Sequence, residues 1–177
     1  MKIAVCIKQV PSRDWQPRLN DTGTWIREQD ASFEMNEPDA YALEEGLRLK
    51  ELHGGEVVVC SAGPARVVQV IREALARGAD RAIHVDDERL AQADAFLVGE
   101  ALASAMRDEA FDLVLTGLQS DDQGLAQTGV LLEAGVRVNG RAGALEIFAG
   151  YENRVDADPL DRQSRRWGLV GFRLLSK

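Results

Sequence analysis

The chain has 177 residues, of which 45% are hydrophobic and 28% charged, and its formal net charge is −8. This composition is that of a folded globular domain and excludes wholesale disorder, and an acidic chain lacks the positive field that non-specific nucleic-acid binding needs. No apolar run approaches the roughly 20 residues of a membrane span. From the charge we expect no nucleic-acid partner, and from the apolar runs we expect no membrane insertion.

The N-terminus and the cysteines indicate the compartment. The opening sequence MKIAVCIKQV enters a strand pattern directly, without a signal-peptide cleavage region. Cys6 and Cys60 both lie inside apolar strand-like runs, which predicts reduced thiols in the core. We therefore expect a cytoplasmic protein.

Apolar runs alternate with helical patterns along the first 117 residues. Four apolar runs predict strands, at residues 3–10, 56–62, 81–85 and 112–117. Three helical patterns lie between them, from Asn36 to about Leu52, from Val67 to Ala76 and from Ala91 to about Glu109. The long connection at residues 11–35 is expected to carry a small hairpin, with residues 25–27 as one arm.

This β-α-β-α-β-α-β order predicts an α/β fold with a parallel sheet and helices on both of its faces. Ligands of such sheets bind beyond the carboxyl ends of the strands, near the point where strand order reverses. The loops after Val10, Ala62, Val85 and Gly117 are therefore expected to surround the site.

The densest polar stretch, residues 117–129, follows the fourth predicted strand and leads into an apolar helix. Its glycines let the backbone approach a ligand. Gln127 and Thr128 provide hydrogen-bond donors at the start of the helix, where amides and the helix dipole attract an anion such as phosphate. A plain polar loop that ends in a capping threonine is the alternative interpretation.

A second helix N-terminus begins at Asn36 on the same side of the predicted sheet. Asn36 is a typical N-cap, Pro38 suits the first turn, and Glu37 and Asp39 complement the positive end of the helix dipole. Taken alone this is an ordinary capped helix. Two helix N-termini that face one crevice favour an anion-binding site.

The usual signatures of catalysis are absent from the sequence. There is no G-x-G-x-x-G after the first strand, no P-loop motif and no histidine or cysteine pair at metal-ligand spacing. Cys6 is interpreted as an inert thiol, and Asp121 and Asp122 as solvated carboxylates. We expect a binding protein with no catalytic residue and no metal site, and not a stand-alone enzyme.

A set of short motifs follows a fixed order over almost all of residues 1–130. They are IKQV (7–10), MN (35–36) leading into ALEE (42–45) and LRLK (47–50), SAGP (61–64), EALA (73–76), GADRA (78–82), DLVLTG (112–117), Gln119 and QTG (127–129). Each motif is weak alone. As a set they resemble the β subunit of electron transfer flavoprotein.

The resemblance implies a Rossmann-like fold of the adenine nucleotide alpha hydrolase type. It also implies a nucleotide in this subunit, either AMP or, in members that bifurcate electrons, a second FAD. The partner would be an α subunit that carries the redox-active FAD, and the heterodimer would carry electrons from acyl-CoA or other dehydrogenases to an acceptor. This subunit would then contain no catalytic residue.

The resemblance further implies which residues line the nucleotide. By the family pattern these are Cys6, Asn36, Glu37, Pro38, Asp39, Ala62, Gly117, Gln119, Ser120, Asp121, Asp122, Gln123, Gly124, Leu125, Ala126, Gln127 and Thr128. They include both of the helix N-termini that were singled out above on physical grounds.

The family pattern stops near Leu132, which predicts a nucleotide-binding domain at residues 1–132 and a divergent tail at 133–177. Residues 1–130 have a net charge of −10, whereas residues 131–177 have a net charge of +2 and are rich in arginine. Within the tail, residues 142–148 and 167–175 are candidate strands. Our hypothesis is a non-homologous replacement, as from a shifted reading frame, and the alternative is a divergent lineage.

Two other functions compete with the electron-carrier subunit. A universal-stress-type adenine-nucleotide-binding regulator would share the parallel sheet, but its usual glycine-rich phosphate loop is not matched by residues 117–120. An adenine-nucleotide hydrolase would need the P-loop or the metal cluster that the sequence lacks.

Overall fold

The computed structural model describes residues 1–132 and four short strands beyond them. The strands are β1 (Lys2–Cys6), β2 (Gln9–Pro11), β3 (Phe33–Met35), β4 (Glu56–Gly63), β5 (Arg81–Asp86), β6 (Leu113–Thr116), β7 (Glu146–Ala149), β8 (Glu152–Asn153), β9 (Trp167–Gly168) and β10 (Gly171–Phe172). The helices are α1 (Glu37–His53), α2 (Val68–Ala76) and α3 (Ala95–Met106), and residues 128–132 are also helical.

The main sheet has the strand order β10-β7-β6-β1-β4-β5. Its strands from β7 to β5 are parallel, and β10 pairs antiparallel with β7 at one edge. From β1 the chain proceeds through β4 to β5 on one side and then returns to β6 on the other side. The strand order therefore reverses between β1 and β6, where sheets of this kind bind their ligands.

Helices cover both faces of the sheet. On one face, Leu43 of α1 and Val70 of α2 belong to the same buried cluster as Ile3. On the other face, Met106 of α3 belongs to a second cluster with Ala4. Successive side chains of β1 thus enter opposite cores, as the period of a strand requires. The predicted Rossmann-like α/β fold is confirmed.

The predicted strand at residues 3–10 is in fact two strands. The Ile7 amide donates to the Cys60 carbonyl at 2.9 Å and so still follows the sheet. The Lys8 amide instead donates to the carboxylate of Asp39 at 2.8 Å. The chain leaves the sheet there, and β2 pairs antiparallel with β3 in a separate two-stranded sheet.

The third helix begins later than its apolar pattern indicates. Residues Glu88–Gln92 form a 3₁₀ turn, and α3 starts at Ala95. The reason is Asp94, whose side chain accepts a hydrogen bond from the Leu97 amide at 2.9 Å and caps the helix. The predicted start at Ala91 was therefore wrong by four residues.

The connection at residues 11–35 contains the predicted hairpin. Leu19 and Ile26 form an antiparallel bridge. The Asn20 amide donates to the Trp25 carbonyl at 2.8 Å, and the Arg27 amide donates to the Arg18 carbonyl at 2.7 Å. Residues 25–27 are thus one arm of a small hairpin.

Beyond residue 132 the predicted strands are borne out only in part. The first candidate overlaps β7, and the second overlaps β9 and β10. The remaining residues of both candidates, and most of the predicted tail at 133–177, lie outside the described residues. Among the helices of the described ranges, none has the length and apolar character to cross a membrane.

Candidate functional site

A cleft of about 610 Å³ opens beyond the carboxyl ends of β1 and β6. This is the point where the strand order reverses, and the volume lies in the range of small-molecule sites. The walls come from the turn after β1, the start of α1, the end of β4 and the loop at residues 117–128. The cleft is therefore the structural candidate for the predicted binding site.

Most of the residues predicted from the sequence line this cleft. They are Cys6, Asn36, Asp39, Ala62, Gly117, Gln119, Ser120, Asp121, Asp122, Gln123, Leu125, Ala126, Gln127 and Thr128. Glu37, Pro38 and Gly124 are not part of the lining. Glu37 accepts hydrogen bonds from Arg13 and from the Tyr41 hydroxyl, and Gly124 makes a turn at φ +64° with its amide on the Ser120 carbonyl.

Asn36 occupies the N-cap position of α1, but its side chain does not cap the helix. Its Nδ2 donates to the Gln119 carbonyl at 3.0 Å, and its Oδ1 accepts from the Asp121 amide at 2.9 Å. Asn36 is almost fully buried. The predicted capping role is therefore wrong, because this amide side chain instead fixes the loop that follows β6.

Asp39 joins three segments of the cleft wall. Its two carboxylate oxygens accept hydrogen bonds from the Gly117 amide at 3.0 Å and from the Lys8 amide at 2.8 Å. Burial raises the pKa of Asp39 to about 7, although these two amides and the Asn36 side chain favour the charged form. Asp39 is therefore a buried tie between α1, the turn after β1 and the loop after β6, and not a solvated acid that complements a helix dipole.

Lys8 holds the same loop from the other side. Its ammonium group donates to Asp122 at 2.7 Å, to Ser120 at 3.2 Å and to Gln123 at 3.4 Å. Lys8 was not predicted as a site residue. The available signal was its charge, directly after the apolar run at residues 3–7 and inside a predicted strand that was expected to be buried on both faces.

Cys6 and Thr116 are neighbours in the register of β1 and β6. Both cysteines are buried and free, as predicted. Burial raises the pKa of the Cys6 thiol well above its usual value, and the negative charge of Asp39 raises it further, so the thiol is neutral. The Thr116 hydroxyl is buried and has no hydrogen-bond partner among the described residues.

Arg66 also lines the cleft and was not predicted as a site residue. Its guanidinium lies 4.2 Å from the centre of the Phe33 ring, and its NH1 donates to Gln9 at 2.6 Å. These contacts join the segment just before α2 to the two-stranded sheet of β2 and β3. They depend on residues distant in sequence, so no local pattern indicated them.

Three cations of the cleft wall already have carboxylate partners. Lys8 pairs with Asp122, Arg13 pairs with Glu37 and Asp121, and Arg66 lies 3.5 Å from Glu28. Over the described ranges, no group of three or more histidine, cysteine or acidic side chains is arranged to hold a metal ion. The wall is thus close to neutral, and the polar groups that it offers a ligand are hydroxyls, amide side chains and backbone amides.

The sequence profile of the electron transfer flavoprotein domain matches residues 23–138, which is more than half of the chain. The chain belongs to the electron transfer flavoprotein domain family. The matched range includes α1, the strands β4, β5 and β6, and all of the loop at residues 117–128. Cys6 and Lys8 precede it.

Curated relatives of this electron transfer flavoprotein domain agree with the match. The electron transfer flavoprotein subunit beta of Methylophilus methylotrophus is 39% identical over 132 residues, which are 73% of this chain and 50% of the relative. Protein FixA of Azorhizobium caulinodans is 41% identical over 134 residues, 73% of this chain and 47% of the relative. The caffeyl-CoA reductase-Etf complex subunit CarD of Acetobacterium woodii is 40% identical over 131 residues, 73% and 50% respectively. The chain spans about half the length of these relatives.

Proposed function

We propose that this chain supplies the nucleotide-binding domain of an electron transfer flavoprotein β subunit. In this proposal its cleft holds AMP or a second FAD, and it pairs with an α subunit that carries FAD. The pair carries electrons from acyl-CoA or other dehydrogenases to an acceptor in the cytoplasm. The observation that carries the proposal is the cleft at the strand-order reversal, which is lined by fourteen of the residues that the family resemblance implies.

The names of the relatives support the subunit assignment. One relative is named as a β subunit, and another as a subunit of a complex that contains a reductase and an Etf component. A role as a carrier subunit requires no catalytic side chain in this chain. The α subunit's FAD would supply the redox chemistry, and a second FAD in this chain would add another redox centre.

The residues of the cleft suit an adenine nucleotide. The buried Thr116 hydroxyl lacks a partner among the described residues and lines the cleft, so a polar ligand atom would satisfy it. Backbone amides at the start of the helical turn 128–132 are suited to a phosphate. Lys8, in the turn after β1, contacts the loop that leads into this turn and could exchange Asp122 for a phosphate oxygen. This chain's residues would thus bind and orient the nucleotide.

The domain boundary is part of the proposal. We assign nucleotide binding to residues 1–132, which contain every described residue of the cleft lining. Residues 133–177 would form a divergent tail with no assigned contact to the nucleotide. On this assignment, nucleotide binding depends on the first 132 residues, whereas pairing with the α subunit is the property that a replaced tail could alter.

The test is co-expression of the full chain with an α subunit encoded beside it, followed by an absorption spectrum and chromatography of acid-released nucleotides. One FAD with one AMP per heterodimer supports an ordinary carrier, and two FAD molecules support a bifurcating one. A homodimer that contains ATP and ignores the α subunit would instead support the universal-stress-type alternative. A purified chain with no nucleotide and no affinity for AMP or FAD contradicts the proposal.

A further inference from the structure

The last residue of β6, Thr116, has a polar atom with no partner. Thr116 is 9% exposed, and its Oγ1 makes no hydrogen bond with any described residue. Buried hydroxyl groups in folded proteins almost always have a partner, and one without a partner destabilises the fold. A valine would have the same shape without this cost, so folding alone does not explain a threonine here.

Thr116 faces the cleft on a defined side of the sheet. Leu115 belongs to the core under α1, whereas Val114 belongs to the core under α3. Side chains alternate along a strand, so Thr116 lies on the α3 side, where Cys6 is its neighbour in register. Thr116 and Cys6 both line the cleft.

The surroundings of this hydroxyl are apolar or acidic. Cys6 belongs to the apolar cluster under α3, against which Ala62 packs. The next residue, Gly117, donates its amide to the carboxylate of Asp39. The charge of Asp39 also acts on the Cys6 thiol, the register neighbour of Thr116. A phosphate group at this position would therefore be repelled by a carboxylate, whereas a base or a ribose needs an apolar wall and a few neutral hydrogen-bond partners.

We propose that the Thr116 hydroxyl binds the nucleoside part, base or ribose, of an adenine nucleotide in the cleft. This inference rests on the function proposed above and adds a specific residue to it. The phosphate would lie toward the loop at residues 120–128. Thr128 is the last residue of this loop, and Lys8 contacts the loop from the turn after β1. The two threonines would then contact different parts of one ligand.

The first measurement compares Thr116→Val with Thr116→Ser in the full chain, by AMP titration calorimetry and by melting without nucleotide. Loss of one hydrogen bond predicts that Thr116→Val weakens AMP binding by about threefold to tenfold. The same variant removes an unsatisfied hydroxyl, so its melting temperature without nucleotide should rise by about 2–4 °C. Thr116→Ser keeps the hydroxyl and should bind AMP within about twofold of the wild type. If Thr116 had only a structural role, Thr116→Val would melt at a lower temperature than the wild type.

The second measurement uses adenosine, which lacks the phosphate, as a competitor of AMP. Thr116→Val should lower the affinity for adenosine and the affinity for AMP by the same factor. Thr128→Val is the contrasting variant, since it should weaken AMP and leave the affinity for adenosine unchanged. If wild-type chain binds AMP but adenosine does not displace it, or if Thr116→Val affects AMP alone, the assignment to the nucleoside is overturned.

Failure of this inference can be distinguished from failure of the proposed function. Wild-type protein that binds AMP, with a Thr116→Val variant that binds it equally well, overturns the role of Thr116 and leaves the nucleotide site intact. A Thr116→Val variant that melts below the wild type also overturns that role. Wild-type protein that binds neither AMP nor FAD overturns both.

Discussion

Gly117 and Asp39 are in such close contact that no other residue fits at position 117 without a shift. A Cβ atom built on Gly117 would lie 2.2 Å from Asp39 Oδ1 and 2.9 Å from the Asp39 backbone nitrogen. The same pair is joined by the hydrogen bond from the Gly117 amide to Oδ1. The start of the polar loop is thereby fixed to the first turn of α1.

We expect Gly117→Ala to destabilise the protein and to weaken the binding of AMP in the cleft. The added Cβ meets backbone as well as a side chain, so the two segments must separate, at a cost of about 2 kcal/mol or more in the free energy of unfolding. Urea unfolding and AMP titration measure the two effects. Gly23→Ala is the matched control, because Gly23 has φ +68° and open space around it. That variant should lose stability through backbone strain and keep its affinity for AMP. If Gly117→Ala bound AMP as tightly as the wild type, the contact between Gly117 and Asp39 would not be needed for AMP binding.

Because of Asp39, the free energy of unfolding should decrease as the pH rises from about 4 to about 7. Burial raises its folded-state pKa to about 7, against an ordinary value of 3.8, so in this window the folded state retains a proton that the unfolded state has lost. The stabilisation by this carboxyl group is complete below its pKa in the unfolded state. It is lost as the pH rises through its pKa in the folded state. The expected slope is about 1.4 kcal/mol per pH unit within the window.

The measurement for Asp39 is the free energy of unfolding of the wild type minus that of Asp39→Asn, followed from pH 4 to pH 8. The asparagine does not titrate, so the difference isolates this carboxyl group. We expect the difference to decrease up to about pH 7 and to level off above it. A difference that rises with pH would mean that the amides of Lys8 and Gly117 outweigh burial and keep Asp39 ionised.

Lys8→Met should release the loop after β6. Burial alone would raise the pKa of Asp122, but the hydrogen bonds from Lys8 and Ser120 and the charge of Lys8 bring it below its usual value. Without the ammonium group this pKa should rise, and amide protons of residues 120–123 should exchange faster. NMR titration and hydrogen exchange measure these changes. The pair is partly exposed, so the loss of stability should stay below about 1 kcal/mol.

Lys50→Met is the matched control for Lys8→Met. Lys50 pairs with Asp80 at 2.7 Å, the same distance as in the Lys8–Asp122 pair, and neither Lys50 nor Asp80 lines the cleft. This variant should raise the pKa of Asp80, which its hydrogen bond from Lys50 now lowers, and leave the loop unchanged. Faster exchange at residues 120–123 in both variants would show that the effect is not specific to Lys8.

Both cysteines should be unreactive in the folded protein. Burial raises the pKa of the Cys60 thiol to about 12, and that of Cys6 well above its usual value, so neither forms a thiolate at pH 8. A thiol-specific dye should therefore label native protein only at the rate of unfolding, and both thiols at once in denaturant. Rapid labelling of one thiol in the native state would show that solvent reaches Cys6 through the cleft.

The sequence was informative where local physics decides the outcome. The apolar runs of β1, β4 and β6 and the helical spacing of α2 reflect burial patterns that a single segment carries by itself. The polar stretch at residues 117–129 could also be placed at the edge of the sheet, because it directly follows a predicted strand, and in the structure most of it lines the cleft. The start of α3 was misjudged although Asp94, a good N-cap, stands in the sequence.

The roles of individual site residues were much less predictable. Asn36 and Asp39 looked like an N-cap and a dipole-matched acid, since both preferences are local. Their actual partners, Asp121 and Gly117, lie 85 and 78 positions away. Lys8 was not selected, because its partners Ser120 and Asp122 lie 112 and 114 positions away. Thr116 was not selected either, because only the structure shows that its buried hydroxyl lacks a partner among the described residues.

Taken alone, the sequence determined the fold class and the family to which the chain belongs. These follow from periodicity, from chain order and from motifs, all of which are properties of neighbouring residues. Only the tertiary structure decided that Asp39 is a buried tie, that Lys8 fixes the loop and that the Thr116 hydroxyl lacks a partner. The physical reason is that hydrogen bonding and desolvation depend on which groups meet in space, and these groups meet only when the sheet brings distant segments to one edge.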